Sequence, residues 1–297
     1  MTIAIVFAVA AGACFAAANL AQQWASRSSR PPALSPRLVV ELFRNRTWLL
    51  GFGLVAASYG LQSVALSFGP LSLVQAILVS EILFAAPVSA WLHHQRVGPR
   101  LVLGAAAVAV GLPLALASAS PHGGNPEASG PAWLLTIAAV GAVAGLAVAA
   151  RPLLHGVARA SALAFAGAVV MGSQSALLDV SLENLRRGPA AVAGAWQSYV
   201  LVVASLLGGW LIQSAYRDGP LVASLPMLDA GEPTVAVLIG VLLFGEQLDT
   251  GGVRLPLAVL GIALVVAGIV LVDGSPTARL VALREEEERN GATAERA

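Results

Sequence analysis

The sequence predicts an all-α, polytopic membrane protein that crosses the bilayer nine times. Three observations predict it. The 297 residues are 57% hydrophobic and only 11% charged, about half the charged fraction of an ordinary soluble domain. The apolar residues fall in runs of roughly 20, the length at which a helix spans the hydrocarbon. Between these runs, the basic residues are sorted strongly to alternate connections.

The runs place spans at 3–24, 48–68, 71–92, 101–118, 132–150, 160–180, 193–212, 221–243 and 255–272. In lipid a single segment satisfies its own backbone hydrogen bonds only as a helix, so each span is helical. The first run could be taken for a cleaved signal. No Lys or Arg precedes it, however, and such signals begin with positive charge. The stretch SASPHGGNPEASGP (118–131) is the most loop-like internal segment, and the tail carries the solvated run REEEERN.

All seventeen basic residues are arginine. With nine spans, one side receives Arg27, Arg30, Arg37, Arg44, Arg46, Arg96, Arg100, Arg151, Arg159, Arg217, Arg279, Arg284, Arg289 and Arg296. The other side receives Arg186, Arg187 and Arg254. An arginine excess marks the cytoplasmic side. The expectation is a multi-pass protein of the inner (plasma) membrane, with its N-terminus outside and its C-terminus cytoplasmic.

The chain also repeats itself. LQSVALSFGPL, starting at Leu61, is echoed by IQSAYRDGPL, starting at Ile212. Setting Leu61-Gln62-Ser63 on Ile212-Gln213-Ser214 lays spans 2, 3 and 4 over spans 7, 8 and 9, and span 1 over span 6. Gly69-Pro70-Leu71 then meets Gly219-Pro220-Leu221 after a one-residue gap. The expected plan is 4+1+4. Residues 1–119 form a first four-helix repeat, and 120–156 a periplasmic linker plus bridging helix. Residues 157–273 form the second repeat and 274–297 a charged cytoplasmic tail. An odd bridging span inverts the second copy, and inverted repeats characterise secondary transporters that bind substrate near the midplane.

Charged side chains at the bilayer centre cost about 2.5–3.5 kcal/mol each on insertion scales, so each invites a functional reading. Glu81 lies near the middle of span 3, and Asp229 and Glu232 near the middle of span 8. The repeat alignment makes Glu81 and Glu232 equivalent. Asp229 and Glu232 are i and i+3, on one helical face. Carboxylates so close in a low dielectric either share a proton or hold a cation between them, which makes Asp229 and Glu232 the candidate metal pair. Pro233, Pro226 and Pro87 lack an N–H, which frees the carbonyls of Asp229, Val222 and Leu83 as oxygen ligands. Neutral polar residues complete the candidate binding set: Asn19 and Gln22 on span 1, Tyr59 and Gln62 on span 2, Gln174 and Asp179 on span 6, and Gln197 on span 7. Membrane amides also serve as interhelical glue. Gly141-x-x-x-Gly145 reads as a close helix-packing motif.

The segment FGEQLDTGGVRLPLAVLGIALVVAGIVLV (244–272) resembles the end of a drug/metabolite transporter (EamA-like) repeat. The likeness rests on the corner Gly245-Glu246-x-Leu248 and the glycine-spaced helix after it. FGPLSLV and DGPLVAS resemble that family's penultimate helix starts. The first half departs from the pattern, with His94-Gln95-Arg96-Val97 where the corner is expected. Nine spans with an outside N-terminus look more like the branch of NIPA-type magnesium transporters. The resemblance implies a secondary transporter of a small polar metabolite or drug-like solute, coupled to a proton or cation, or a divalent-cation (Mg²⁺) transporter. A non-transporting assembly or receptor protein with inherited repeats is the reading from another class.

Enzymatic signatures are absent. Cys14 is the one cysteine, which excludes an intrachain disulfide. His93 and His94 sit side by side without a carboxylate at ligand spacing, and no phosphate-binding glycine loop, nucleophile elbow or HExxH occurs. No cofactor is expected. The partners expected are the bilayer and a small-molecule or ion substrate, not nucleic acid, with a homodimer as an allowed assembly.

Overall fold

A computed structural model describes residues 2–68, 98–120, 122–125, 128–155, 157–219, 221–249 and 251–276, together with 74, 77, 78, 81, 88, 280 and 283. Gly69-Pro70, Pro87, His93–Val97, Pro220, the tail from 284 and most of predicted span 71–92 lie outside the described residues.

The elements in chain order are α1 (Thr2–Ser28), α2 (Pro36–Leu42), α3 (Arg46–Phe68), α4 (Pro99–Ala119), α5 (Gly130–Ala150), α6 (Val157–Arg187), α7 (Pro189–Gly194), α8 (Trp196–Asp218), α9 (Leu221–Phe244) and α10 (Arg254–Asp273). A single 3-10 turn, Arg151–Leu153, follows α5. Among the described residues eight helices are long and apolar enough to cross a membrane: α1, α3, α4, α5, α6, α8, α9 and α10. Residues 74, 77, 78, 81 and 88 are also helical.

Local chemistry sets the helix starts. The Ser35 side chain accepts from the Arg37 N–H ahead of α2, and Ser129 caps α5 through the Ala132 N–H. Asn45 Oδ1 accepts from the N–H groups of Thr47 and Trp48, satisfying donors that a helix start leaves orphaned. Proline occupies the first turns of α2, α4, α5 and α7, where its missing N–H costs nothing. Gly245, at φ +68, turns the chain out of α9, and the next N–H, of Glu246, donates back to the Gly240 carbonyl at 3.0 Å.

Contacts between connections sort them onto two faces. On the first, Arg217 Nε donates to the Pro31 carbonyl and the Leu34 N–H to Ser214 Oγ, while Arg151 and Arg159 converge on Asp218. This is the arginine-rich face. On the far face His122 and Gln247 exchange backbone hydrogen bonds as an isolated antiparallel bridge, and the Asp249 N–H reaches the Ala119 carbonyl at 2.8 Å.

The helices pack in matched pairs. α1 lies along α3 as α6 lies along α8, and α6 also carries α9. Against α1, Val74 and Leu78 join Ala8, Ala11 and Ala65 in one apolar cluster. Among the described residues helix α5 packs mainly on α6, while its Trp133 also meets Trp196 of α8 and Phe244 of α9 edge to face, and α4 pairs with α10. That last pair is a backbone contact. A Cβ on Gly111 would fall 2.7 Å from the Gly261 carbonyl oxygen, and one on Gly104 2.7 Å from that of Gly268. The seven-residue glycine spacing on both helices and the reversed order of the partners make the contact antiparallel. By contrast, Gly141 and Gly145 of α5 face open space and make no close contact within the described chain, because the buried side of α5 is the one carrying Trp133 and Ala144.

Gly111→Val and Gly261→Val are therefore expected to destabilise the detergent-purified protein by about 1–3 kcal/mol, the usual cost of overpacking. Gly141→Val should leave thermal unfolding unchanged. Equal melting of all three variants would show that this seam does not hold α4 to α10.

Candidate functional site

Three packing features bring the intramembrane carboxylates together. Gly172 lets α9 approach α6 so closely that a Cβ there would lie 2.6 Å from the Glu232 carbonyl oxygen. Gly12 sits against the backbone of residues 77, 78 and 81, which lays Glu81 alongside α1. Two turns further on, Asn19 Nδ2 donates to Glu81 Oε1 at 3.4 Å, and Tyr216 Oη donates to Asn19 Oδ1 at 3.1 Å. Within α9, Pro226 and Pro233 flank Asp229 and Glu232, and Pro233 removes the N–H that the Asp229 carbonyl would otherwise receive.

Glu81 is 8% exposed, and Asp229 Oδ2 is buried with no hydrogen-bond partner in the described structure. A buried polar atom without a partner is costly and marks a place where a proton, ion or ligand group would be held.

These groups border a cavity of about 690 Å³. Its walls are Phe15 of α1, Tyr59 and Gln62 of α3, Leu78 and Glu81, Leu112, Pro113, Leu116 and Ala117 of α4, Ser175 of α6, and Leu228, Asp229, Glu232, Pro233 and Ala236 of α9. Phe15 and Tyr59 meet edge to face at 5.2 Å. Among the described lining residues none is basic, and the wall they form is largely apolar with acidic groups. The lining positions on α3, α4, α6 and α9 fall mid-helix or beyond, toward the far face. The arginine-rich half is filled by a core that includes Ala105, Val108, Leu163, Ala215, Tyr216, Leu221 and Leu225.

Of the residues singled out from the sequence, Glu81, Asp229, Glu232, Tyr59 and Gln62 meet in this cavity, and Asn19 touches it through Glu81. Gln22 lies instead in the sealed half. Its Oε1 accepts from Gln213 Nε2 at 2.6 Å, and Gln213 Oε1 accepts from Ser26 Oγ at 2.6 Å. Gln174 is half-buried and Asp179 exposed, and neither is among the residues lining the cavity; their neighbour Ser175 is. Gln197 borders a separate far-face cavity of about 260 Å³ with Glu183, Asn184 and Arg187. Tyr216, Phe15 and Pro113 were not singled out. A proline within an apolar run was a readable signal for Pro113, whereas nothing in the sequence joins Tyr216 to Asn19.

The corner after α8 ties the sealed half together. Asp218, whose side chain is 4% exposed, accepts from Arg151 Nε at 2.6 Å and Arg159 Nε at 3.0 Å, with second bonds from both guanidinium groups. Beside it the Gly219 carbonyl accepts from Gln23 Nε2 at 3.2 Å. Asp218→Asn is expected to cost roughly 1.5–3 kcal/mol, the range for hydrogen bonds to charged groups. Arg151→Ala and Arg159→Ala should each cost less, since one guanidinium remains. A wild-type melting temperature for Asp218→Asn would remove the clamp from the account of stability.

No family model matches the chain, and no solved structure matches it. An uncharacterized protein of Corynebacterium glutamicum is 26% identical to it over 267 residues, covering 89% of this chain and 91% of that one. The similarity therefore runs through both halves of the bundle.

Proposed function

We propose that the chain is a secondary transporter of a small polar or drug-like solute, working by alternating access with proton or cation coupling. In this reading it has nine membrane helices in the 4+1+4 inverted-repeat plan of the drug/metabolite (EamA-like) superfamily, and it sits in the plasma membrane. One observation carries the proposal. Carboxyl groups from both halves, Glu81 from the first and Asp229 and Glu232 from the second, converge on a single cavity with no basic side chain among its described lining residues. The matched pairings α1–α3 and α6–α8 support the repeat.

An acidic, largely apolar cavity favours a cationic or zwitterionic solute with an apolar body. Neutralising a carboxylate with a proton changes that preference, which is the basis of exchange. The magnesium reading rests on Asp229 and Glu232 one turn apart. Among the described residues no three His, Cys, Asp or Glu side chains gather as a metal group, so proton coupling stands first.

The test uses proteoliposomes with a trapped pH dye, challenged with a panel of amines, amino acids, nucleosides and Mg²⁺. Solute-driven proton movement is expected for the wild type. In Glu81→Gln and Asp229→Asn it should fall to the rate of protein-free liposomes, with Glu232→Gln intermediate. Unchanged rates would remove the coupling role. Mg²⁺ movement alone would establish the divalent-cation reading, and no flux for any solute would favour an assembly or receptor protein.

A further inference from the structure

Gln62 and Gln213, equivalent in the repeat, have different surroundings. The register that carries Gln62 onto Gln213 also carries Gln22 onto Ser173 and Gln23 onto Gln174. On the arginine-rich side, Gln213 is 7% exposed and spends its amide on Gln22 and Ser26 of α1. Gln23 joins from the same helix by donating to the Gly219 carbonyl. On the far side the counterpart Gln62 is half-buried in the cavity wall, and Ser173 Oγ turns back to its own helix, donating to the Val170 carbonyl at 2.7 Å. Helices α1 and α8 are packed together, while their counterparts α6 and α3 share no comparable contact among the described residues.

An amide at this depth needs partners. Gln213 has protein partners, and Gln62 faces a cavity large enough to hydrate it. Closing the far half would strip that hydration and leave Gln62 with an unmet hydrogen-bonding requirement. The repeat places Ser173 and Gln174 on α6 where Gln22 and Gln23 stand on α1. We infer that Gln62 and Gln213 are alternating latches: Gln62 closes the far half onto Ser173 and Gln174 when Gln213 releases Gln22 and Ser26. This rests on the transporter reading and assigns the observed state as far-side open. Asn19, bonded to both Glu81 and Tyr216, links the cavity to the closed latch.

The far-side distance tests it. In the full chain with Cys14→Ala, spin labels at Phe68→Cys and Leu178→Cys sit on exposed positions in the far halves of α3 and α6. Pulsed electron resonance in proteoliposomes should show one main distance. Gln213→Leu should add a shorter one, Ser26→Ala should add it in smaller proportion, and Gln62→Leu introduced with Gln213→Leu should remove it. Ser26→Ala deletes only one hydroxyl, so it remains informative should Gln213→Leu fold poorly. A far-side distance unmoved by both Gln213→Leu and Ser26→Ala would overturn the latch and make these residues structural glue. Flux with an unmoved distance sinks the latch and leaves transport standing; a shortened distance without flux for any solute does the reverse.

Discussion

The hydrogen-bond chain from Tyr216 through Asn19 to Glu81 is the constraint on which the site depends. Three carboxyl groups line one cavity with no arginine among its described lining residues, so they rely on neighbouring donors. Asn19 supplies one such donor, and Tyr216 orients Asn19. Three segments are thereby tied to one polar point, α1, the helical residue Glu81 and α8, and Asp229 of α9 lines the same cavity. The bundle cannot rearrange there without changing what the carboxyl groups hold.

Two kinds of contact surround that point. The α4–α10 seam brings backbone against backbone at two glycine pairs, flanked by the apolar side chains of Val108, Leu264 and Val272. It suits a fixed axis. The α1–α8 contact is made of glutamine and serine, whose hydrogen bonds can be traded for water at modest cost, about 0.6 kcal/mol each in membrane-protein cycles. It suits an element that opens. The Asp218 clamp belongs to neither kind: its guanidinium partners come from the α5–α6 connection and α6, so it braces the end of α8 against its own half.

Much of this was legible in the sequence for plain reasons. A carboxylate in a long apolar run is expensive, so Glu81, Asp229 and Glu232 stood out, and all three line the cavity. Amides gave no such discrimination. Gln22 and Gln62 looked alike as candidates, yet one is locked against Gln213 and the other borders the cavity. Glycine spacing misled in the same way. Gly141 and Gly145 carry the recognisable packing motif but face open space, whereas Gly111 and Gly261 meet without one. Arg151 and Arg159 read as loop charges until folding placed them on Asp218.

The sequence by itself determined the lipid-facing character, helical class and approximate spans, because hydrocarbon length and backbone hydrogen bonding act on each segment separately. It also determined which residues were costly enough to need a purpose. Only the tertiary structure decided which of them meet, which face of each helix is buried, and which half of the bundle is sealed. Those outcomes depend on pairs of segments far apart in the chain, such as Asn19 with Tyr216, whose proximity no local pattern encodes.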